Sequence, residues 1–281
     1  MSYSHTTVKR TFIDGKYGQI HCRVAGKRID EPAGDALGTI VCLHMSPKSG
    51  RSYADLLPHL AGDYIVLAPD YPGYGESDAP PSEPHVSIED YAESVWQVID
   101  QLGRAPIHFV GYHTGSLVAI EAASQRPEST GCVVSISAPL FTDEELAQAK
   151  DTYSLIPLDE EGTRFKIMWE RVLHHRGPGM TLEMSAASFA ENLRGGEEYE
   201  AGHHAAFAYI PSYRNKIADL DVPILVLNPN DDCCEQTRRV DPLLRNGERL
   251  DLPEWGHGFL QIHPEETAGL ILEFVEKSSS P

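Results

Sequence analysis

The sequence predicts an α/β protein whose mostly parallel central sheet is covered by helices on both faces. Short runs rich in β-branched residues alternate with helix-period patterns along most of the chain. At 281 residues and 41% hydrophobic composition, the chain is long enough to bury one large core. No internal repeat or low-complexity tract breaks the alternation.

Taken in order, "RTFIDG" and "GQIHCRVAG" form an antiparallel hairpin at the amino end. The buried strands are "TIVCLH" (39–44), "YIVLAP" (64–69), "PIHFVG" (106–111), "GCVVSIS" (131–137) and "VPILVLN" (222–228), with "GERLDLP" as the last strand. Between them, Ser87 and Asp90 have the spacing of a helix cap, and Ile88, Tyr91, Ala92, Val95, Ile99 and Leu102 then share one face, which predicts a helix to Leu102. A second helix runs from about Thr114 to Gln125, stopped near Pro127, and the last from Pro264 to about Glu276.

From about Phe141 to Arg214 the pattern is helix and loop without a convincing strand. This predicts a core domain of residues 1–140 and 215–281 with a helical insertion at 141–214. Ligands of open parallel sheets bind outside the carboxyl ends of the strands, so an insertion leaving from such an end is expected to cover the site as a lid. Phe165, Trp169, Phe207, Tyr209, Tyr213, His203 and His204 are its candidate pocket residues, with plain packing as the default role for most.

A net charge of -19, from 42 acidic and 23 basic residues, argues against nucleic acid and anionic membrane surfaces as partners. No run reaches the ~18 apolar residues of a membrane span. The start "MSYSHTTVKR" lacks the apolar core of a secretory signal. Five cysteines without a CxxC give no disulfide framework, and a soluble cytoplasmic protein is expected. No phosphate-binding glycine loop is present, so no nucleotide cofactor is expected. The pairs His174–His175 and His203–His204 lack HxxxH spacing, and no metal is expected either. The expected partner is a small-molecule substrate; the oligomeric state is left open.

The chemistry concentrates in five loops. "LHMSP" (43–47) follows the third strand, "DYPGYGESD" (70–78) the fourth, and "VGYHTGS" (110–116) the fifth. "LNPNDD" (227–232) and "WGHGF" (255–259) come after the insertion. In these places and in this order the chain resembles the α/β-hydrolase superfamily, over nearly its whole length. The resemblance implies the α/β-hydrolase fold with a helical lid, and an active site of nucleophile elbow, acid and histidine in that chain order. By the same resemblance His257 is the base and Asp231 the acid, with the adjacent Asp232 as the alternative. The amides of Ser46 and Thr114 are the oxyanion donors, with Met45 and Tyr112 beside them as binding candidates. Met45 stands where the family has glycine.

The elbow departs from the family pattern, because His113 occupies the place of the nucleophilic serine, while Gly111 and Gly115 on either side are kept. Three readings follow. His113 is a nucleophile forming an acyl-imidazole; or it works with His257 as acid and base, on water or on a carbon acid; or it is the wall of a catalytically silent ligand site. Ser116 reads as a helix-start residue, Ser137 lies past the sixth strand, and using Ser46, which faces the pocket, would change the direction of attack. The leading expectation is a cofactor-independent enzyme hydrolysing a small ester, lactone or related carbonyl compound through His113, His257 and Asp231. A lyase or isomerase, and a silent binder, are the alternatives.

Overall fold

The amino-terminal hairpin forms as expected. Strands β1 (Lys9–Gly15) and β2 (Gly18–Gly26) pair antiparallel, closing with Gly15 opposite Gly18. The computed structural model describes residues 7–27 and 36–279. The other strands are β3 (Thr39–Leu43), β4 (Ile65–Pro69), β5 (Ile107–Tyr112), β6 (Thr130–Ile136), β7 (Ile224–Pro229) and β8 (Gly247–Leu252). They join in one sheet of order β1-β2-β4-β3-β5-β6-β7-β8, parallel from β4 to β8.

The parallel strands are apolar on both faces because both faces are covered. Val41, Leu43 and Phe109 point into one core, and Ile40, Cys42, Val110 and Tyr112 into the other. This is the period-2 alternation of a strand between two helical layers. Each fully buried aliphatic or aromatic side chain contributes roughly 1.5–3 kcal/mol relative to exposure.

The short helix α1 (Leu57–Ala61) precedes β4, and α2 (Ile88–Leu102) starts at the expected capping box between Ser87 and Asp90. Helix α3 (Thr114–Gln125) follows β5 directly. Between β6 and β7 lie only helices: α4 (Asp143–Thr152), α5 (Thr163–His174), α6 (Leu182–Asn192) and α7 (Ala201–Asp219), with a 3-10 segment at Leu193–Glu198. The expected boundary at Arg214 falls inside α7. That helix continues because Phe207, Ile210, Tyr213 and Ile217 face the same core as Phe109 and α3. After β7 come α8 (Cys234–Thr237), α9 (Phe259–Ile262) and α10 (Pro264–Ser279). Among the described residues no helix is long and apolar enough to cross a membrane.

This topology sets the site. The loops after β5, β6, β7 and β8 all leave the same edge of the parallel sheet, where the segment between β6 and β7 also departs.

Candidate active site

Strand β5 ends in a sharp corner at His113, with φ 49° and ψ -114°. A non-glycine residue held there costs about 1–3 kcal/mol, so the surroundings must enforce it. They do so through two close approaches. A Cβ on Gly111 would lie 2.1 Å from the Gly115 carbonyl oxygen, and one on Gly115 would lie 2.0 Å from that of Leu43. Only glycine fits at either position. The His113 amide donates to the Ile136 carbonyl at 3.0 Å. The Ser116 amide and hydroxyl both donate back to the His113 carbonyl, at 2.8 and 2.7 Å. Ser116 thus locks the corner and is no substitute nucleophile.

The loop after β7 brings both aspartates to the corner, facing different ways. Asp231 has a fully buried side chain, whereas that of Asp232 is 33% exposed. Asp231 Oδ2 accepts from Ser137 Oγ at 2.6 Å, Tyr112 OH at 3.1 Å and His113 Nε2 at 3.0 Å; its Oδ1 accepts from the Cys233 amide at 3.0 Å. Asp232 Oδ1 accepts from His257 Nε2 at 2.7 Å and lies 3.7 Å from His113 Nε2.

The expected pairing is therefore corrected. His257 takes Asp232 as its partner, and Asp231 belongs to His113. Adjacent residues in an irregular loop project to different sides, and the Cys233 amide turns Asp231 inward. A further difference concerns which ring atom is held. In a Ser-His-Asp triad the acid holds Nδ1 and leaves Nε2 for the nucleophile. Here Asp232 meets Nε2, while Nδ1 of His257 lies 3.3 Å from Tyr112 OH. The two histidine rings converge, with centroids 5.4 Å apart.

Burial opposes a proton on His113, but the Cys233 sulfur and the two carboxylates outweigh it and hold the imidazole well above the ordinary histidine range. The Cys233 thiol is itself pushed up to about 12 by burial. It is neutral at physiological pH, so the carboxylates carry the effect. Burial likewise works against the charge on Asp231 and Asp232; the nearby histidines reverse it and keep both carboxyls below the usual range.

The loop after β3 reaches the corner at residue 113, where the Ser46 amide donates to Thr114 Oγ1 at 3.4 Å. The backbone at Met45 is not left-handed, so a side chain is accommodated where the family has glycine. A cavity of about 230 Å³ opens above these residues, lined by Met45, Ser46, Tyr112, His113, Asp232 and His257 on the sheet side. Its other wall comes from the helices between β6 and β7, including Met168, Arg171, His175, Ser188, Tyr199 and His203.

Of the pocket residues expected there, His203 lines the cavity, whereas Phe207, Tyr209 and Tyr213 are packed into the core. Phe165 is exposed, Trp169 packs on Phe189, and His204 bonds to the Tyr153 carbonyl. Sequence reasoning missed three contributors. Ser137, also at positive φ (56°), anchors Asp231. The ring of His175 meets that of His257 edge-to-face, with centroids 5.3 Å apart. Lys48 donates to the Ser188 carbonyl and hydroxyl and to Asn192, and burial pushes its ammonium down to about 7. No local spacing signals any of them, since each acts through a contact distant in sequence.

A family model described as the alpha/beta hydrolase fold matches residues 38–233. The chain belongs to the α/β-hydrolase fold family. Within that family it is similar to a bifunctional epoxide hydrolase 2 of Sus scrofa, 35% identical over 106 residues, which are 37% of this chain and 19% of the porcine protein. The chain thus spans about a fifth of that relative's length. It is also similar to a pimeloyl-(acyl-carrier protein) methyl ester esterase of Neisseria meningitidis serogroup A, 25% identical over 262 residues, covering 86% of this chain and 78% of that one. Among solved structures, the enol-lactonase of Burkholderia xenovorans LB400 superposes with a TM-score of 0.74 at 16% identity, covering 95% of this chain and all of the other. That likeness is one of fold.

Proposed function

We propose that this α/β-hydrolase-fold chain hydrolyses a small ester, lactone or related carbonyl compound, with water as the attacking group, and that the segment from α4 to the first turn of α7 forms the lid over its cavity. The observation that carries this reading is the placement of His113, Asp231, Asp232 and His257 around one point at the cavity floor, under the Ser46 and Thr114 loops. The names of the relatives, an esterase, a lactonase and an epoxide hydrolase, support a hydrolytic class.

A nucleophilic His113 is disfavoured by its contacts. Nε2 is taken by the buried Asp231 at 3.0 Å, and Nδ1 faces Cys233 Sγ at 3.8 Å, so neither nitrogen offers a free lone pair to the cavity. In the mechanism that fits, a water in the cavity loses a proton to the Asp232–His257 pair as its oxygen bonds to the carbonyl carbon. The carbonyl electron pair moves onto oxygen, facing the Ser46 and Thr114 amides. Collapse then breaks the bond to the leaving group, which takes up the proton.

A panel of esters and lactones tests this. Native protein turns over at least one member, and His257→Ala reduces that turnover by about 10²–10⁴-fold, the usual worth of a positioned acid-base group. Turnover unaffected in His257→Ala would exclude the site, and proton exchange or elimination on the same panel without hydrolysis would favour a lyase.

A further inference from the structure

From the same quartet we infer a metal site: His113 Nε2, His257 Nε2 and one carboxylate oxygen each from Asp231 and Asp232 form a binding site for a single divalent transition-metal ion of the Zn²⁺, Mn²⁺ or Fe²⁺ class. The inference deepens the hydrolase reading and rests on it only for what the ion would do, not for its binding.

Geometry carries the argument. The four donor atoms all lie within 4.8 Å of one another. Three of the separations are 2.7, 3.0 and 3.7 Å. Ligands about 2.0–2.1 Å from a tetrahedral ion stand roughly 3.3 Å apart, so a set spaced this way closes on a metal with small side-chain shifts. The orientation of His257 points the same way. Its outward Nε2, not Nδ1, meets the carboxylate, which is unsuited to a proton relay toward residue 113 but suited to two ligands of one ion.

Behind His257 and Asp231 the site is built as metal ligands require, while His113 Nδ1 faces the Cys233 sulfur at 3.8 Å. A ligating histidine gives its other ring nitrogen to an oxygen or backbone partner that fixes its tautomer. Tyr112 OH stands in that place at 3.3 Å from His257 Nδ1. Asp231 is held by Ser137, Tyr112 and the Cys233 amide. Two carboxylates and two neutral imidazoles carry a charge of -2, which a divalent ion cancels within a partly buried floor. Asp231 seals the inner side, and His113, Asp232 and His257 face the cavity, where open coordination positions can take water. Two imidazole nitrogens select a transition metal over Mg²⁺ or Ca²⁺. The absence of HxxxH spacing is no obstacle, because the ligands come from three separate loops. With an ion bound, His257 Nε2 would serve as a ligand in place of its part as base, and the ion would lower the pKa of a coordinated water, whose proton the second oxygen of the Asp232 carboxylate would take.

The test is equilibrium dialysis of the full chain against Zn²⁺ with metal quantification, and visible absorption after loading with Co²⁺. One equivalent per chain and a cobalt ligand-field band are expected. His113→Ala and Asp232→Asn, with far-UV circular dichroism unchanged, should each weaken binding beyond the roughly 10–100-fold that losing an outer partner costs, and Tyr112→Phe should fall within that range. The exposed His59→Ala/His85→Ala variant should keep the full equivalent. Sub-stoichiometric binding, or binding retained in His113→Ala/His257→Ala, overturns the inference. Stoichiometric metal without hydrolysis would sink the hydrolase reading alone; hydrolysis at full rate in demonstrably metal-free protein would sink the ion's part in the reaction, and failure to bind one equivalent would sink the site itself.

Discussion

Asp232→Asn is expected to lower kcat/KM on a responsive ester or lactone by about 10³-fold with little change in melting temperature, whereas Asp231→Asn should appear first as lost stability. The two residues are neighbours in sequence, and their surroundings separate the effects. Asp232 is a third exposed, faces the cavity, and holds His257 Nε2 at 2.7 Å. The amide of asparagine keeps the shape but can neither take a proton nor hold a cation, which removes a contribution of about 10²–10⁴. Asp231 is fully buried and gathers Ser137, Tyr112, His113 and the Cys233 amide. Removing the charged member of such a buried set leaves its partners uncompensated, at about 3–5 kcal/mol. Kinetics and thermal unfolding of the two variants check the split. Equal kinetic losses at unchanged stability would mean that both carboxylates face the reaction.

His113→Ser returns the residue that the family's elbow carries, yet it is expected to give no serine-type hydrolase. Its rate should stay within about tenfold of His113→Ala, with no burst of first product and no acyl adduct at residue 113 by quenched-flow mass spectrometry. A nucleophilic serine needs a histidine whose Nε2 is free to take its proton and whose Nδ1 is held by the acid. His257 has these roles reversed, with Asp232 on Nε2 and Tyr112 at Nδ1. Members of such a unit act together, so supplying one of them alone recovers little. A burst phase in His113→Ser would show that His257 and Asp232 swing back into a triad at little cost.

The legible parts of this molecule are those written in local pattern. Strands such as Ile107–Tyr112 announce themselves by β-branched runs, helix Ile88–Leu102 by its capping box and apolar face, and the elbow by Gly111 and Gly115, which backbone contacts near 2 Å make obligatory. Asp231 and Asp232 could not be told apart, because their directions depend on loop torsions fixed by the Cys233 amide and by Ser137. Ser137, Lys48 and His175 reach the site through contacts 94, 140 and about 80 residues away in sequence, where no periodicity operates. That each imidazole has its own carboxylate could likewise only be read from the folded chain.

His113 and His257, each with its own carboxylate, form one unit at the cavity floor, and a double-variant cycle on the two histidines checks that coupling. Measured as kcat/KM on the best substrate of the panel, His113→Ala, His257→Ala and the double variant should show strong non-additivity, the double being no slower than the slower single within a factor of about three. Multiplicative losses, with the double slower by the product of the singles, would contradict it.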